Sequence, residues 1–288
     1  MSTEPITPTL LRGWALPSPS GSKYGRGQVL VVGGARATPG AVLLAGLAAL
    51  RVGAGRLSLA VASSVAGTLA VAVPEAGVRG LPEDDGGDVR GTGLGVIASD
   101  LERADAVLVG PGLGEPEGAR ALLTGLAARM PETTPVLLDA FALGVLPGLG
   151  EVREALHGRL VLTPNLAEAA RLLEVEEIDD DDVQDAVAEL AERYGAVVSC
   201  RGLVSDGDWM WEATTGHSGL GTSGSGDVLA GAMAGLIARG AGAAQAAVWG
   251  THLHASAGDS LTASVGKVGF LARELLDELP RLLHELSA

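Results

Sequence analysis

Gln28-Val29-Leu30-Val31-Val32 runs without a polar break into Gly33-Gly34, and a helical pattern follows over residues 39–52. The absence of apolar/polar alternation reads as a strand buried on both faces. Pro39 falls in the first helical turn and Gly53 just past the last, as helix ends favour. Strand, glycine turn and helix make the first half of a β-α-β unit. The same grammar recurs downstream. Residues 57–61 read as a second strand, and Ala106–Val109 as a third that enters Gly110-Pro111-Gly112-Leu113-Gly114 and a helix at 118–129. Val136–Leu138 ends at Asp139. Leu160–Leu162 ends at Thr163-Pro164-Asn165, with a helix to about residue 173, then one at 183–194 and a strand at 196–199. Short apolar strands alternating with amphipathic helices predict an α/β fold with a mostly parallel sheet covered on both faces.

The flanks read differently. Asp206-Gly207-Asp208 between short β-like runs predicts a hairpin over residues 203–213. Three helices are expected at 226–239, 243–257 and 270–286, the last with Leu271, Leu275, Leu279, Leu282 and Leu286 on one face. Residues 1–27, with Pro5, Pro8, Pro17 and Pro19, read as an N-terminal tail pinned by Trp14 and Leu16. Residues 28–288 read as one domain, since no repeat or linker divides them. The acidic run 179–182 reads as a solvated loop, with Asp182 a cap for the next helix.

Composition narrows the function. Hydrophobic residues are 47% of the chain but aromatics only 3%, so the core must be closely packed Ala, Val and Leu. The 43 glycines point to loops where backbone approaches a ligand and to helices packed tightly on a sheet. A net charge of −15 argues against a nucleic-acid partner, which needs clustered Lys and Arg. It leaves room for a small anion held by backbone N–H groups. With one cysteine, Cys200, no internal disulfide can form. No basic-then-apolar leader opens the chain, and the apolar stretch 41–50 is too short to span a bilayer, so a cytoplasmic location and no membrane partner are expected.

The densest chemical signal is Gly219-Leu220-Gly221-Thr222-Ser223-Gly224-Ser225-Gly226-Asp227, set directly before an apolar helix. Glycines let successive amides face one point, and the helix dipole adds positive potential there. Such a cradle suits a phosphate or the charge that develops in phosphoryl transfer. Asp227 falls in the first turn, where the dipole favours its ionised form, and an ionised carboxylate there can take a proton from an attacking hydroxyl. The plainer alternative is a loop whose Asp only caps the helix. Other chemistries are poorly served. His252 and His254, two apart on a helix, cannot share a metal, and His157, His217 and His284 are scattered, so no metal site is expected from the protein's own ligands. Ser225 lacks a nucleophile elbow. Gly110–Gly114 lacks the full dinucleotide-binding fingerprint.

Gly224-Ser225-Gly226-Asp227 before a helix resembles the Gly-Thr-Gly-Asp signature of the ribokinase-like superfamily. Lys23-Tyr24-Gly25-Arg26-Gly27 before the first strand, Pro39-Gly40-Ala41, and Ala48-Ala49-Leu50-Arg51-Val52-Gly53-Ala54-Gly55 are similar to the ADP/ATP-dependent NAD(P)H-hydrate dehydratases. Pro74-Glu75, Gly110–Gly114, Leu162-Thr163-Pro164 with Glu168, and the final glycine-rich motif follow in that family's order. The resemblance implies a ribokinase-like three-layer α/β/α sandwich. It implies repair of hydrated NADH or NADPH by phosphorylation of the ring hydroxyl and elimination of phosphate, with ADP or ATP as co-substrate and Mg²⁺ beside the polyphosphate. Asp227 would activate the hydroxyl. Ala41, Gly114, Asn165 and Asp227 would line the substrate pocket. Arg201, Gly202, Leu203, Val204 and Ser205 would follow the nucleotide, with Gly224, Ser225 and Gly226 against its phosphates. A homo-oligomer is expected on the same ground.

Three positions depart from the family's pattern. Phe141 stands where a second acid of Asp-Ala-Asp is usual, Asn165 where His is usual, and Arg201 where Lys is usual. Asn cannot carry a proton at neutral pH, and a planar guanidinium does not sit where an ammonium does. Two alternatives therefore stand beside the dehydratase. One is a ribokinase-like kinase of a vitamin precursor or other small alcohol, which would release a stable phosphate ester. The other is a binding protein that keeps the fold without turnover.

Overall fold

A computed structural model describes residues 2–18 and 21–287, and the expected tail residue Pro19 lies outside them. Ten strands form one sheet: β1 (Thr3–Ile6), β2 (Gln28–Val32), β3 (Arg56–Ala62), β4 (Ala76–Leu81), β5 (Ala106–Val109), β6 (Val136–Leu138), β7 (Leu160–Leu162), β8 (Ala196–Cys200), β9 (Leu203–Ser205) and β10 (Met210–Ala213). Their order is β1-β10-β9-β8-β7-β6-β5-β2-β3-β4. From β8 to β4 every pairing is parallel. The expected hairpin is present, because β9 pairs antiparallel with both β8 and β10.

Side chains alternate between two apolar layers along the central strands. Val29, Val31, Leu108 and Leu137 enter one; Leu30, Val32, Val107, Val109, Val136 and Leu138 enter the other. With both faces buried, alternation of polarity disappears and the strands read as unbroken apolar runs. The first layer holds helices α1 (Pro8–Gly13), α2 (Pro39–Arg51), α3 (Ser63–Ala72) and, from the chain's last third, α10 (Ser225–Ala238), α11 (Ala243–Ser264) and α12 (Ala272–Ser287). The opposite layer holds α4 (Ala98–Leu101), α5 (Pro116–Ala127), α6 (Phe141–Val145), α7 (Gly150–Ala155), α8 (Leu166–Leu173) and α9 (Val183–Tyr194). Helices on both faces of a mostly parallel sheet make the three-layer α/β/α sandwich expected from the sequence.

Four readings need correction. Residues 3–13 are not a loose tail. β1 pairs parallel with β10, and Thr7 caps α1 by accepting from the Leu10 amide at 3.2 Å. Ile6 and Leu11 are fully buried, and the Trp14 ring lies 5.7 Å from that of Trp211. The prolines mislead because Pro5 sits in an edge strand and Pro8 at a helix start, the two places where a missing N–H costs least. Leu271 is 46% exposed and lies before α12, so the buried stripe is Leu275, Leu279 and Leu286. Asp182 makes no capping bond; residues Asp180–Asp182 form a 3-10 turn, and Asp180 pairs with Arg201 at 2.6 Å. Finally, α3 and β4 went unread.

α10 is apolar on every side because it lies between α2 and α11. Its glycines set the spacing: a Cβ on Gly231 would fall well inside contact with the Ala45 carbonyl, and one on Gly235 would lie 2.6 Å from that of Ala49. Ala is the better helix former by about 1 kcal/mol, but the clash is with backbone and cannot be relieved by a rotamer. Gly231→Ala should therefore lower stability by about 1–3 kcal/mol, read as a shift in the urea midpoint at unchanged slope.

Candidate active site

β2 leads to β3 and β4 on one side, while β5 to β8 continue on the other, so the sheet changes winding direction between β2 and β5. In doubly wound sheets ligands bind outside the carboxyl ends of the strands at such a point. The loops that meet there are Gly33-Gly34 after β2 and Gly110–Gly114 after β5. They are laced together by Gly34 N–H to the Pro111 carbonyl at 2.8 Å and Ala35 N–H to that of Gly112 at 2.7 Å. Ala41, in the first turn of α2, faces the same junction: a Cβ on Gly112 would lie 3.3 Å from its methyl. Gly114 is displaced to the side, where its added Cβ would strike the Asp88 carboxylate.

α10 starts at this crevice. Its N-cap is Gly224, at φ +87°, with no side chain closing the end; the Ser225 amide turns back to the Thr222 carbonyl at 3.2 Å, and Gly226 follows on the cavity wall. Asp227 follows within the first turn. Burial lifts its pKa to about 6. Loss of water is the cause, and the carboxyl is still mostly ionised at pH 7. A proton acceptor tuned toward neutrality is what general-base work requires.

Asp139, at the end of β6, is a second carboxyl of this site that motif reading did not single out. It is 5% exposed and accepts from the Thr163 hydroxyl at 2.8 Å. Burial raises its pKa to about 7, the Thr163 hydrogen bond works against that, and the charges of Asp227 and Glu168 add to it. The backbone here is tight. A Cβ on Gly110, at φ +129°, would overlap the Asp139 carbonyl, and Ala140 takes φ +49°, a strained value for a residue with a side chain. An acid at a strand's carboxyl end is a readable signal, but its closeness to Asp227 is tertiary and invisible along the chain.

Beside these carboxyls lies a cavity of about 660 Å³. Its wall includes Asn165, Arg201, Gly202 and Gly226, four residues assigned from sequence, with Thr163, Ser199, Thr251 and His254. Asn165 has a further role as the N-cap of α8: its side chain accepts from Glu168 N–H, and Glu168 accepts from Asn165 N–H, each at 2.9 Å. Ser225 stands behind the wall and shares a 2.8 Å hydrogen bond with His254, whose pKa burial pushes down to about 4, leaving a neutral imidazole. Leu203, Val204 and Ser205 do not line this cavity. Because β9 is paired on both edges, its side chains project into the layers, and Val204 and Ser205 are fully buried. Among the described residues no cluster of three His, Cys, Asp or Glu could hold a metal ion.

A doubly wound sandwich with a glycine-started helix carrying an acid at its switch point defines a ribokinase-like protein. The comparison with solved structures agrees: a ribokinase-like superfamily protein from Enterococcus faecalis superposes with a TM-score of 0.83 at 25% identity, over 99% of this chain and 96% of that one. A family model for NAD(P)H-hydrate dehydratase matches residues 29–281. The ADP-dependent (S)-NAD(P)H-hydrate dehydratase of Xanthomonas campestris is 42% identical over 98% of this chain and 96% of its own. The chain belongs to the NAD(P)H-hydrate dehydratase family. It is also 37% identical, over 93% of its length, to the bifunctional NAD(P)H-hydrate repair enzyme of Moorella thermoacetica, of which it spans about half (51%). The ADP/ATP-dependent NAD(P)H-hydrate dehydratase of Bacillus subtilis, co-crystallised with ATP and Mg²⁺, superposes with a TM-score of 0.79 at 25% identity over 99% of both chains.

Proposed function

We propose that this chain restores hydrated NADH and NADPH, using ADP or ATP to turn the ring hydroxyl into a leaving group. The observation that carries the reading is Asp227, a carboxyl tuned to about 6 in the first turn of a glycine-started helix beside the nucleotide-sized cavity. The hydroxyl oxygen attacks the terminal phosphorus while Asp227 takes its proton, and the bond to the departing nucleotide breaks. The C–O bond of the new ester then breaks with the electron pair leaving on phosphate. Loss of the neighbouring ring proton to water then closes the C=C bond. Hydroxide leaves poorly and phosphate leaves well, which is why a nucleotide is needed. The start of α10 would direct its dipole at the charge that develops. Mg²⁺ would supply charge neutralisation at the polyphosphate.

The test is to incubate the protein with hydrated NADH and either ADP or ATP and follow the reduced-nicotinamide absorbance. Its return supports repair; a stable phosphate ester would replace the dehydratase by a kinase. No helix among the described residues is long and apolar enough to cross a membrane. The substrates of this reaction, and a chain with a single, buried cysteine, suit the cytoplasm. Ala41 adds a prediction. Leu at this position should leave ADP affinity near wild type but weaken hydrate binding by at least about tenfold, because the extra carbons fill the crevice between α2 and Gly112. Calorimetry with each ligand checks it, and unchanged hydrate affinity removes Ala41 from the pocket.

A further inference from the structure

A second cavity of about 450 Å³ opens between α5, α6 and α8. Arg120 of α5 and Arg171 of α8 both line it, with Phe141 and Glu168. Both arginines are exposed, and neither makes a hydrogen bond or an ion pair within 4 Å among the described residues, although the charge of Arg171 acts on Glu168. That is unusual in this chain, where most arginines are tied to a carboxylate or a carbonyl. Glu168 shares the cavity, but one of its oxygens is held by the Asn165 amide in the α8 cap. Two exposed guanidiniums beside a half-buried aromatic ring match an anion joined to a planar ring.

The location says which anion. Leu113 and Ala140, on the loops after β5 and β6, line this cavity, and Ala140 directly follows Asp139. The charges of both Asp227 and Glu168 act on Asp139. The second cavity therefore adjoins the reacting centre, while the phosphoryl donor occupies the first. A hydrated dinucleotide whose ring lies at Asp227 must direct its diphosphate and adenosine away from the donor. We infer that the cavity of Arg120, Arg171 and Phe141 receives the adenylate half of the hydrate, the arginines holding the diphosphate and Phe141 the adenine face. This rests on the hydrate-repair reading above and assigns the non-reacting end of its substrate. Binding energy from a remote group of this kind also serves to fix the reacting end.

The experiment compares hydrated NADH with hydrated reduced nicotinamide mononucleotide, which keeps the ring and lacks the adenylate. Wild type should prefer the dinucleotide in kcat/KM by at least about tenfold, the scale of one or two charge-assisted hydrogen bonds. Arg120→Gln combined with Arg171→Gln should erase most of that preference through KM for the dinucleotide, leaving the mononucleotide rate and KM for ATP unchanged. Phe141→Ala should reduce it separately. Melting temperature checks that these partly or fully exposed positions leave the fold intact. Retained preference in the variants, or none in wild type, overturns the assignment alone. A rise in KM for ATP overturns it by moving the arginines to the donor site. Wild type inert on both hydrates defeats the repair reading itself, and this subsite with it.

Discussion

Asp227→Asn should cut turnover by roughly 10²–10⁴-fold, the usual range for losing a positioned proton acceptor. The substitution is nearly isosteric, and the N-cap of α10 is Gly224 rather than Asp227, so the helix start does not depend on the carboxylate. Nucleotide affinity should stay constant or tighten, because a negative charge beside the phosphates is removed. Stability gives an independent check. A carboxyl whose folded pKa rises from 3.8 to about 6 favours folding while protonated, and that preference is lost as pH climbs through about 6. The Asn variant should therefore melt no lower than wild type at pH 8, with any gain disappearing at pH 4. Loss of turnover with unchanged or raised melting temperature assigns the residue to chemistry. Normal turnover with a lowered melting temperature would make it structural and overturn the mechanism.

What the amino-acid sequence discloses divides along physical lines. The central strands are legible because both faces are buried, which leaves short unbroken apolar runs stopped by glycine or by Thr-Pro-Asn. Segments that bury little carry little signal. Leu69 is the buried residue of α3, and β4 contains Gly77 and Gly80 with an alternating, half-exposed pattern, so neither announces itself. β1 is hidden by Pro5, which only an edge strand tolerates.

The site divides in the same way. Gly226, Asn165 and Arg201 stand on or beside chain motifs whose local geometry brings them to one cavity wall. Leu203, Val204 and Ser205 follow Arg201-Gly202 in sequence, but the strand pairing of β9 turns them into the core. The approach of Asp139 to Asp227, and of Arg120 to Arg171, joins a strand end to a distant helix and two separate helices, so no spacing rule reaches them. Motifs locate the glycine-started helix and part of the cavity wall, and packing supplies the rest.

Asp139→Asn tests that packing-derived part, and its largest effect should be on stability. Asp139 is almost fully buried, and its pKa rises from 3.8 to about 7 because the folded protein prefers the neutral acid. The preference favours folding below pH 4 and is progressively lost as pH rises, until above about 7 the protein carries a buried charge. Asn keeps an acceptor for the Thr163 hydroxyl and never ionises. The variant should be more stable than wild type at pH 8, by up to about 4 kcal/mol for a shift of this size. At pH 4, where both side chains are neutral, the two proteins should unfold at nearly the same denaturant concentration. The rate follows from the order of ionisation. Asp227 loses its proton first, at about 6, and its charge helps Asp139 keep its own until about 7. Near pH 6 the wild-type enzyme therefore holds a neutral Asp139, and Asn reproduces that state, so turnover at pH 6 should fall by less than about tenfold, far less than for Asp227→Asn. The two proteins should diverge only above pH 7. Collapse of turnover already at pH 6, with the gain in stability absent at pH 8, would show that Asp139 works as a carboxylate and that binding partners, rather than burial, set its charge.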